Sequence, residues 1–466
     1  RTYFENVISL PKWYGWDKLN ETYVAQITTT QKIKDVIIDP SYRLADVDLL
    51  NNSWKCPVEW SFDSKVANYN DWKNYTMNWR PEIWGNAYDG LKLGVHFNGD
   101  YFGYKHKLEF TTWYNSGIGQ GLLYEPDFTI SDDNGDYDVS DDYNMFNFDL
   151  NYKTATDKFL PQSNYYLNTG VLDGVFAFET GLEKKLGRSG AHKLSVYVKD
   201  LYFFNTMYLY NHELIEEAKN NSVNIDYEHN YNYFTGNGQL NVKFRSNDLL
   251  SDYDFSRINI EAINKTKLGK FDLRTRLFGQ WGSGSDMPFE SSLMLAGANT
   301  EELLDNKYTR SRGFFPDEWV DFGETTGHFH AGGGLNLRGY AGYLVADTSA
   351  EEGSINAYSG MSGVAANVEL QFNRLFKFQL IKFIKMEPYL FADAGIISTD
   401  DRFDRVADLR VDAGIGTAFT WSWFGPLETV KPITLRVDFP LFLNRTPYED
   451  GEFLQFRYVI GMNRAF

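Results

Sequence analysis

Apolar and polar residues alternate with a period of two along most of the last third of the chain. From Leu454 the even positions are Leu454, Phe456, Tyr458, Ile460, Met462, Arg464 and Phe466, with Gln455, Arg457, Gly461 and Asn463 between them. Before that, Ile433, Leu435, Val437, Phe439 and Leu441 oppose Thr434, Arg436 and Asp438. Leu409, Val411, Ala413, Ile415 and Phe419 oppose Arg410, Asp412, Gly414 and Gly416, and Met386, Leu390, Ala392, Ala394 and Ile396 oppose Glu387, Tyr389, Phe391, Asp393 and Gly395. Val364, Ala366, Val368, Leu370 and Phe372 oppose Asn367, Glu369 and Gln371. Such alternation marks strands with one apolar and one polar face, at the length of tilted membrane strands. The polar faces carry charge and glycine, as a wet or plugged lumen requires.

Upstream, strands are expected near 91–97, 107–114, 145–150, 193–201, 239–244, 258–263 and 271–281. Long insertions are expected at 115–144, 202–237 and 282–335. Short turns alternating with long loops point to an all-β fold, a transmembrane antiparallel β-barrel of about sixteen strands, with both termini on one side. Residues 1–56 lack strands of membrane length and read as the tail of a soluble β-rich domain, with 23–28 and 33–38 as a two-stranded unit. Residues 57–466 are the barrel. A processed or longer N-terminus is expected, because no signal peptide begins at Arg1.

Composition fits this picture. Tyr, Phe and Trp make up 17% of the residues, while mean hydropathy is negative. Aromatic girdles at two membrane interfaces account for that combination better than an aliphatic soluble core. The net charge of −18 argues against nucleic acid as a partner; the barrel pattern instead makes outer-membrane lipid, and beside it other envelope proteins, the expected partners. Cys56 is the one cysteine, so no intramolecular disulfide forms.

The segment Gly332-Gly333-Gly334-Leu335-Asn336-Leu337-Arg338-Gly339-Tyr340 precedes the last five strands. Arginine in a confined space favours bidentate pairing with a carboxylate, and Asp393 in Phe391-Ala392-Asp393-Ala394-Gly395 lies on the lumenal parity. These motifs, with the closing Phe466, resemble the outer-membrane protein insertase and two-partner-secretion transporter superfamily over roughly 320–466. The resemblance implies that the loop enters the lumen from outside, that Arg338 pairs with Asp393, and that the N-terminus is periplasmic. It also implies that Phe466 lies on the lipid face as an assembly signal. Glu369 is a second candidate partner of Arg338. The repeated α/β modules that precede the barrel in that family have no counterpart in residues 1–60.

Residues 1–56, with Tyr14-Gly15-Trp16-Asp17, 33–39 and Leu44 to Asn52, are similar to the end of the catalytic unit of aminopeptidase N-type gluzincin metallopeptidases. His-Glu-x-x-His is absent from the chain. His212-Glu213-Leu214-Ile215-Glu216 lacks the second histidine, and His328 and His330 lack an evident third ligand. No catalytic residue and no cofactor are therefore expected in the barrel, and zinc would belong to a peptidase upstream. Asp132, Asn134, Asp136 and Asp138 offer alternating oxygens that suit Ca²⁺, although the loop lacks an EF-hand's closing glutamate. Three functions follow: a barrel anchoring a periplasm-facing metallopeptidase-like domain in protein assembly or quality control, an insertase or translocase, or a passive porin.

Overall fold

The computed structural model describes residues 26, 28, 30, 32–43, 45–64, 66, 71–120, 129–132, 135–138, 145–157, 159–187, 189–247, 250–316, 319–320, 327–343, 346–347, 355–356, 358–375, 378–381, 383–398, 406–423, 431–447 and 451–466. The chain divides into two compact units, Arg1–Pro57 and Val58–Phe466.

In the first unit a 3₁₀ turn covers Leu49–Asn52, and Ile37 bridges Ser53. The Ile38 N–H donates to the Asn52 carbonyl at 2.7 Å. Residues 36–38 thus pair with 52–54; the expected partner segment 23–28, like residues 14–17, lies mostly or wholly outside the described residues.

Among the described residues the second unit is built on sixteen successive strands, the last of them short: β1 Tyr75–Asn86, β2 Gly90–Tyr101, β3 Lys105–Asn115, β4 Phe146–Ala155, β5 Ser163–Leu172, β6 Val175–Leu186, β7 His192–Phe203, β8 Lys219–Tyr233, β9 Gly236–Ser246, β10 Phe255–Leu268, β11 Phe271–Gly284, β12 Ser362–Gln371, β13 Ile384–Ser398, β14 Arg410–Trp421, β15 Ile433–Leu443 and β16 Tyr458–Met462. Each pairs antiparallel with its neighbour in sequence, an up-and-down meander. Connections 116–145, 204–218 and 285–361 leave from one end, and two-residue turns such as 234–235 and 269–270 lie at the other. The expected insertion 202–237 is mostly strand, because β8 alternates outward Val223, Ile225, Tyr227 and Tyr231 with inward Asn220, Ser222, Asn224 and Asp226. The hairpin β5–β6, also not expected, turns on Asp173-Gly174, both at positive φ.

The sheet is inside-out relative to a soluble core. Val196, Ile225, Ile260, Leu277, Val364, Leu390 and Ile415 are exposed, while Asn220, Asn367, Glu369, Asp393, Asp412 and Arg436 are buried. Apolar side chains outside and polar ones inside are the signature of a transmembrane barrel. Tyrosines lie opposite glycines across the ladders, Tyr231 with Gly238 and Tyr389 with Gly416. The rings fill the space a Cβ would take, which explains a chain rich in both residue types.

Curling of the sheet follows from one segment touching its whole width. Within the 285–361 insertion, Arg312 O accepts from Ala87 N after β1 and Arg310 pairs with Asp173 after β5 at 2.7 Å. Glu301 pairs with Arg245 of β9 at 2.7 Å, Gly334 O accepts from Arg276 of β11, and His330 N donates to Ile460 of β16.

Closure differs from the direct pairing of first and last strands that a sealed barrel implies. Among the described residues no ladder joins β1 to β16. The free edge of β1 takes Val58–Phe62 in parallel, and that of β16 takes Gly327–Phe329. Side chains span the gap: Trp84 stacks on Phe314 at 5.3 Å, Phe314 meets Phe315 at 4.9 Å, and Phe315 stacks on Phe329 at 4.1 Å.

Candidate functional site: an arginine-centred loop in the lumen

The segment Leu335–Tyr343 is buried inside the barrel against β12–β15. Leu335, Leu337, Tyr340 and Tyr343 form an apolar cluster with Leu293, Ile397, Leu443 and Val459, which anchors the loop independently of its charges. Arg338–Tyr340 make a single 3₁₀ turn, presenting the guanidinium to the sheet.

Arg338 is completely buried. Its Nε donates to Asp393 Oδ2 at 2.8 Å and its Nη2 to Asp393 Oδ1 at 3.1 Å, a bidentate pair. Its Nη1 donates to Glu369 Oε1 at 3.1 Å and lies 3.7 Å from Asp438. The Phe391 ring lies 4.1 Å from the guanidinium carbon. Asn367 donates to Asp393 at 3.1 Å and to the Asn336 carbonyl at 3.1 Å, tying carboxylate and loop together. The Gly339 N–H donates to Asp412 at 3.1 Å, and the Tyr340 hydroxyl donates to Asn444 at 3.1 Å and to the Arg445 carbonyl at 3.0 Å.

Both motif glycines sit where a side chain has no room. A Cβ on Gly339 would lie 2.6 Å from both Asp412 Cβ and Leu443 Cδ2, and one on Gly395 would lie 2.9 Å from Leu337 Cδ1. The structure thus places Arg338, Gly339, Tyr340, Glu369, Phe391, Asp393 and Gly395 in one knot.

Phe466 is placed differently from the expectation. It does not face lipid: its ring lies 5.3 Å from the Arg274 guanidinium and 5.9 Å from that of Arg338, beneath the knot. The pleat that would carry it outward ends at Asn463, whose φ is +64°, and the paired strand β16 stops at Met462 rather than running from 454 to 466.

Several partners were not singled out from the sequence. Asp438 pairs with Arg436, which also donates to the His330 carbonyl at 2.9 Å. A second buried cluster pins the insertion to the long-loop end. Lys92 is buried with Asp89 and Asp173, and Tyr208 donates to Asp89 at 2.8 Å. In a third, Arg245 grips Glu301 while Asn220 donates to Glu290 at 3.0 Å. Burial alone would raise the Glu301 pKa, but Arg245, then Lys199 and Arg257, hold its carboxyl well below the usual range. Burial, then Glu301, pushes the Glu290 carboxyl up to about 7. Lysine or arginine on the inward parity of a strand, Lys92 of β2 and Arg245 of β9, was the available signal, but its partners come from distant loops.

His212 and Glu213 lie in a 3₁₀ turn, and His212 meets Arg312 at 3.3 Å. His328 and His330 are buried, with His330 against Arg436. Among the described residues no group of three or more His, Cys, Asp or Glu is placed to hold a metal. The side chains of Asp132, Asn134, Asp136 and Asp138 lie outside the described residues, where the backbone alone forms a small hairpin, Thr129–Asp132 with Gly135–Asp138. Between β3 and β8 the lumen keeps an open polar chamber of about 610 Å³, lined by residues including Lys107, Glu109, Tyr166, Glu179, Tyr197 and Asp226.

No protein-family model matches the chain, and no curated protein matches it. Among solved structures it is similar to BamA from Haemophilus ducreyi lacking POTRA domains 1–3, at 13% identity and a TM-score of 0.42, covering 83% of this chain and 70% of that one. It is similar to a BenF-like porin from Pseudomonas fluorescens at 10% identity and a TM-score of 0.37, covering 82% and 84%. Its likeness to CdiB from Acinetobacter baumannii has 12% identity and a TM-score of 0.35, covering 82% and 55%.

Proposed function

We propose that the chain is an outer-membrane β-barrel acting as a loop-plugged anchor. It would hold an upstream, soluble metallopeptidase-like domain, of which residues 1–56 are the tail, on the periplasmic side, in outer-membrane protein assembly or quality control. The observation that carries this reading is the described part of the 285–361 insertion, which packs against the inner wall and is fixed there by buried ion pairs. A pore that conducts passively has no use for such a plug. The strands begin and end at the short-turn end, and in bacterial barrels short turns face the periplasm.

An insertase or translocase is the second reading, favoured by the absence, among the described residues, of a ladder between β1 and β16: only the short parallel segments Val58–Phe62 and Gly327–Phe329 cover those edges, and a strand edge that is uncovered accepts other strands. The two readings are separable. An epitope within 32–43 is expected to stay hidden from impermeant antibody in intact cells, while one at 211–213 is labelled. A surface-exposed epitope in the first unit would refute periplasmic anchoring. Locking β1 to β16 by an engineered disulfide leaves an anchor working and stops an insertase.

A further inference from the structure

Residues 463–466 carry chemistry that the barrel wall does not need. In β16 Val459 and Gly461 face inward and are buried, while Tyr458, Ile460 and Met462 face outward. Continued pleating would send Arg464 and Phe466 to the lipid. Asn463 prevents this by taking the left-handed conformation that asparagine tolerates and β-branched residues resist. Its N–H donates to the Thr434 carbonyl at 2.8 Å, which fixes the turn.

Beyond the turn every residue engages the lumen. Arg464 pairs with Glu387, on the inward parity of β13. Ala465 is buried and packs so tightly on Gly332 of the inward loop that a Cβ there would strike the Ala465 carbonyl. The Phe466 ring lies between two lumenal cations, Arg274 of the wall and Arg338 of the loop. An aromatic face stabilises a desolvated guanidinium, so Phe466 supports from the short-turn end the same charge that Asp393 and Glu369 hold from the wall.

We propose that Asn463–Phe466 is a lumenal latch for the Arg338 loop, and that straightening this segment is the step that frees the loop to move. The latch makes the loop's mobility depend on one backbone conformation at Asn463 and one ring at Phe466.

The test uses the full chain refolded in lipid vesicles, with folding judged by heat-modifiable gel mobility. Asn463→Val disfavours the left-handed turn, whereas Asn463→Gly permits it. Asn463→Val is expected to speed protease cleavage within 327–343 by about tenfold, the scale of one lost cation–ring contact. Asn463→Gly and Phe466→Tyr should match the parent, and Phe466→Leu should resemble Asn463→Val. Location is read separately from Phe466→Trp: its added emission should resist quenching by lipids brominated on the acyl chain, and become quenched when Asn463→Val is added. Quenching of Phe466→Trp alone would overturn the inward placement. A quenched double variant whose loop is cleaved at the parental rate would overturn the latch. Should Asn463→Val not fold, Phe466→Leu decides: parental cleavage there also overturns it.

Discussion

Replacing Arg338 with methionine is the sharpest perturbation of the lumen. The substitution keeps much of the apolar stem and removes the only guanidinium that reaches both Asp393 and Glu369 among the described residues. Those carboxylates are 1% exposed, and so remain buried without their cation. Breaking such a pair costs about 3–5 kcal/mol when the site is dry. Asp438 keeps Arg436 and adds little. Loss of the Phe391 contact adds roughly 0.5–2 kcal/mol. Arg338→Lys should fall between, since an ammonium cannot span Asp393 bidentately.

The cycle of Arg338→Met, Asp393→Asn and the double variant isolates the pair. Removing both partners takes away one charge of each sign, so the knot keeps the parent's net charge and only Glu369 loses its cation; the double variant should therefore lose less than the sum, with a coupling of about 2 kcal/mol or more. Urea unfolding in vesicles, followed by tryptophan emission and gel mobility, measures it. Additive losses, within about 0.5 kcal/mol, would refute the ion-pair reasoning.

Two other predictions concern the insertion and the motif. The Glu290 carboxyl, raised from 4.5 to about 7, keeps its proton in the folded insertion at pH values below that. Stability from that proton is fully present below about pH 4.5 and is lost as pH rises through 7, by at most roughly 3 kcal/mol. Hydrogen exchange of 285–315 should therefore quicken over that window, and Glu290→Gln should flatten the dependence; an unchanged slope in the variant would place its origin elsewhere. Gly339→Ala forces a Cβ against Asp412 and Leu443 and should cost about 1–3 kcal/mol. Gly187→Ala, with nothing within 4 Å, should cost only its backbone strain, about 1 kcal/mol, and equal losses in the two would contradict the packing argument.

The wall was most legible where lipid-facing residues are aliphatic, as in β12–β15. It was least legible in β5, where Tyr165 and Tyr166 occupy both faces, and in β8, where outward Tyr227, His229 and Tyr231 alternate with Asp226, Glu228, Asn230 and Asn232. Interfacial aromatics count as apolar in a membrane girdle but read as loop residues by hydropathy. Asp173-Gly174, between Leu172 and Val175, is a hairpin signal, but Tyr165 and Tyr166 earlier in β5 obscured the alternation leading into it. The knot was readable because Arg338, Glu369 and Asp393 stand in motifs or on lumenal parity. Asp173 with Arg310 and Arg245 with Glu301 were not, since each joins a turn or strand to a distant insertion. Phe466 was misplaced for a single reason: parity extrapolates only while the pleat continues, and one left-handed Asn463 ends it.

Conductance across a planar lipid bilayer tests the central claim, a membrane-spanning barrel plugged by its own insertion, most directly. The parent chain should insert without a steady open current, and deletion of 327–343 should give a stable conducting pore in protein that still shows heat-modifiable mobility. A parent that conducts steadily, at the level of the deletion variant, would contradict a plugged lumen.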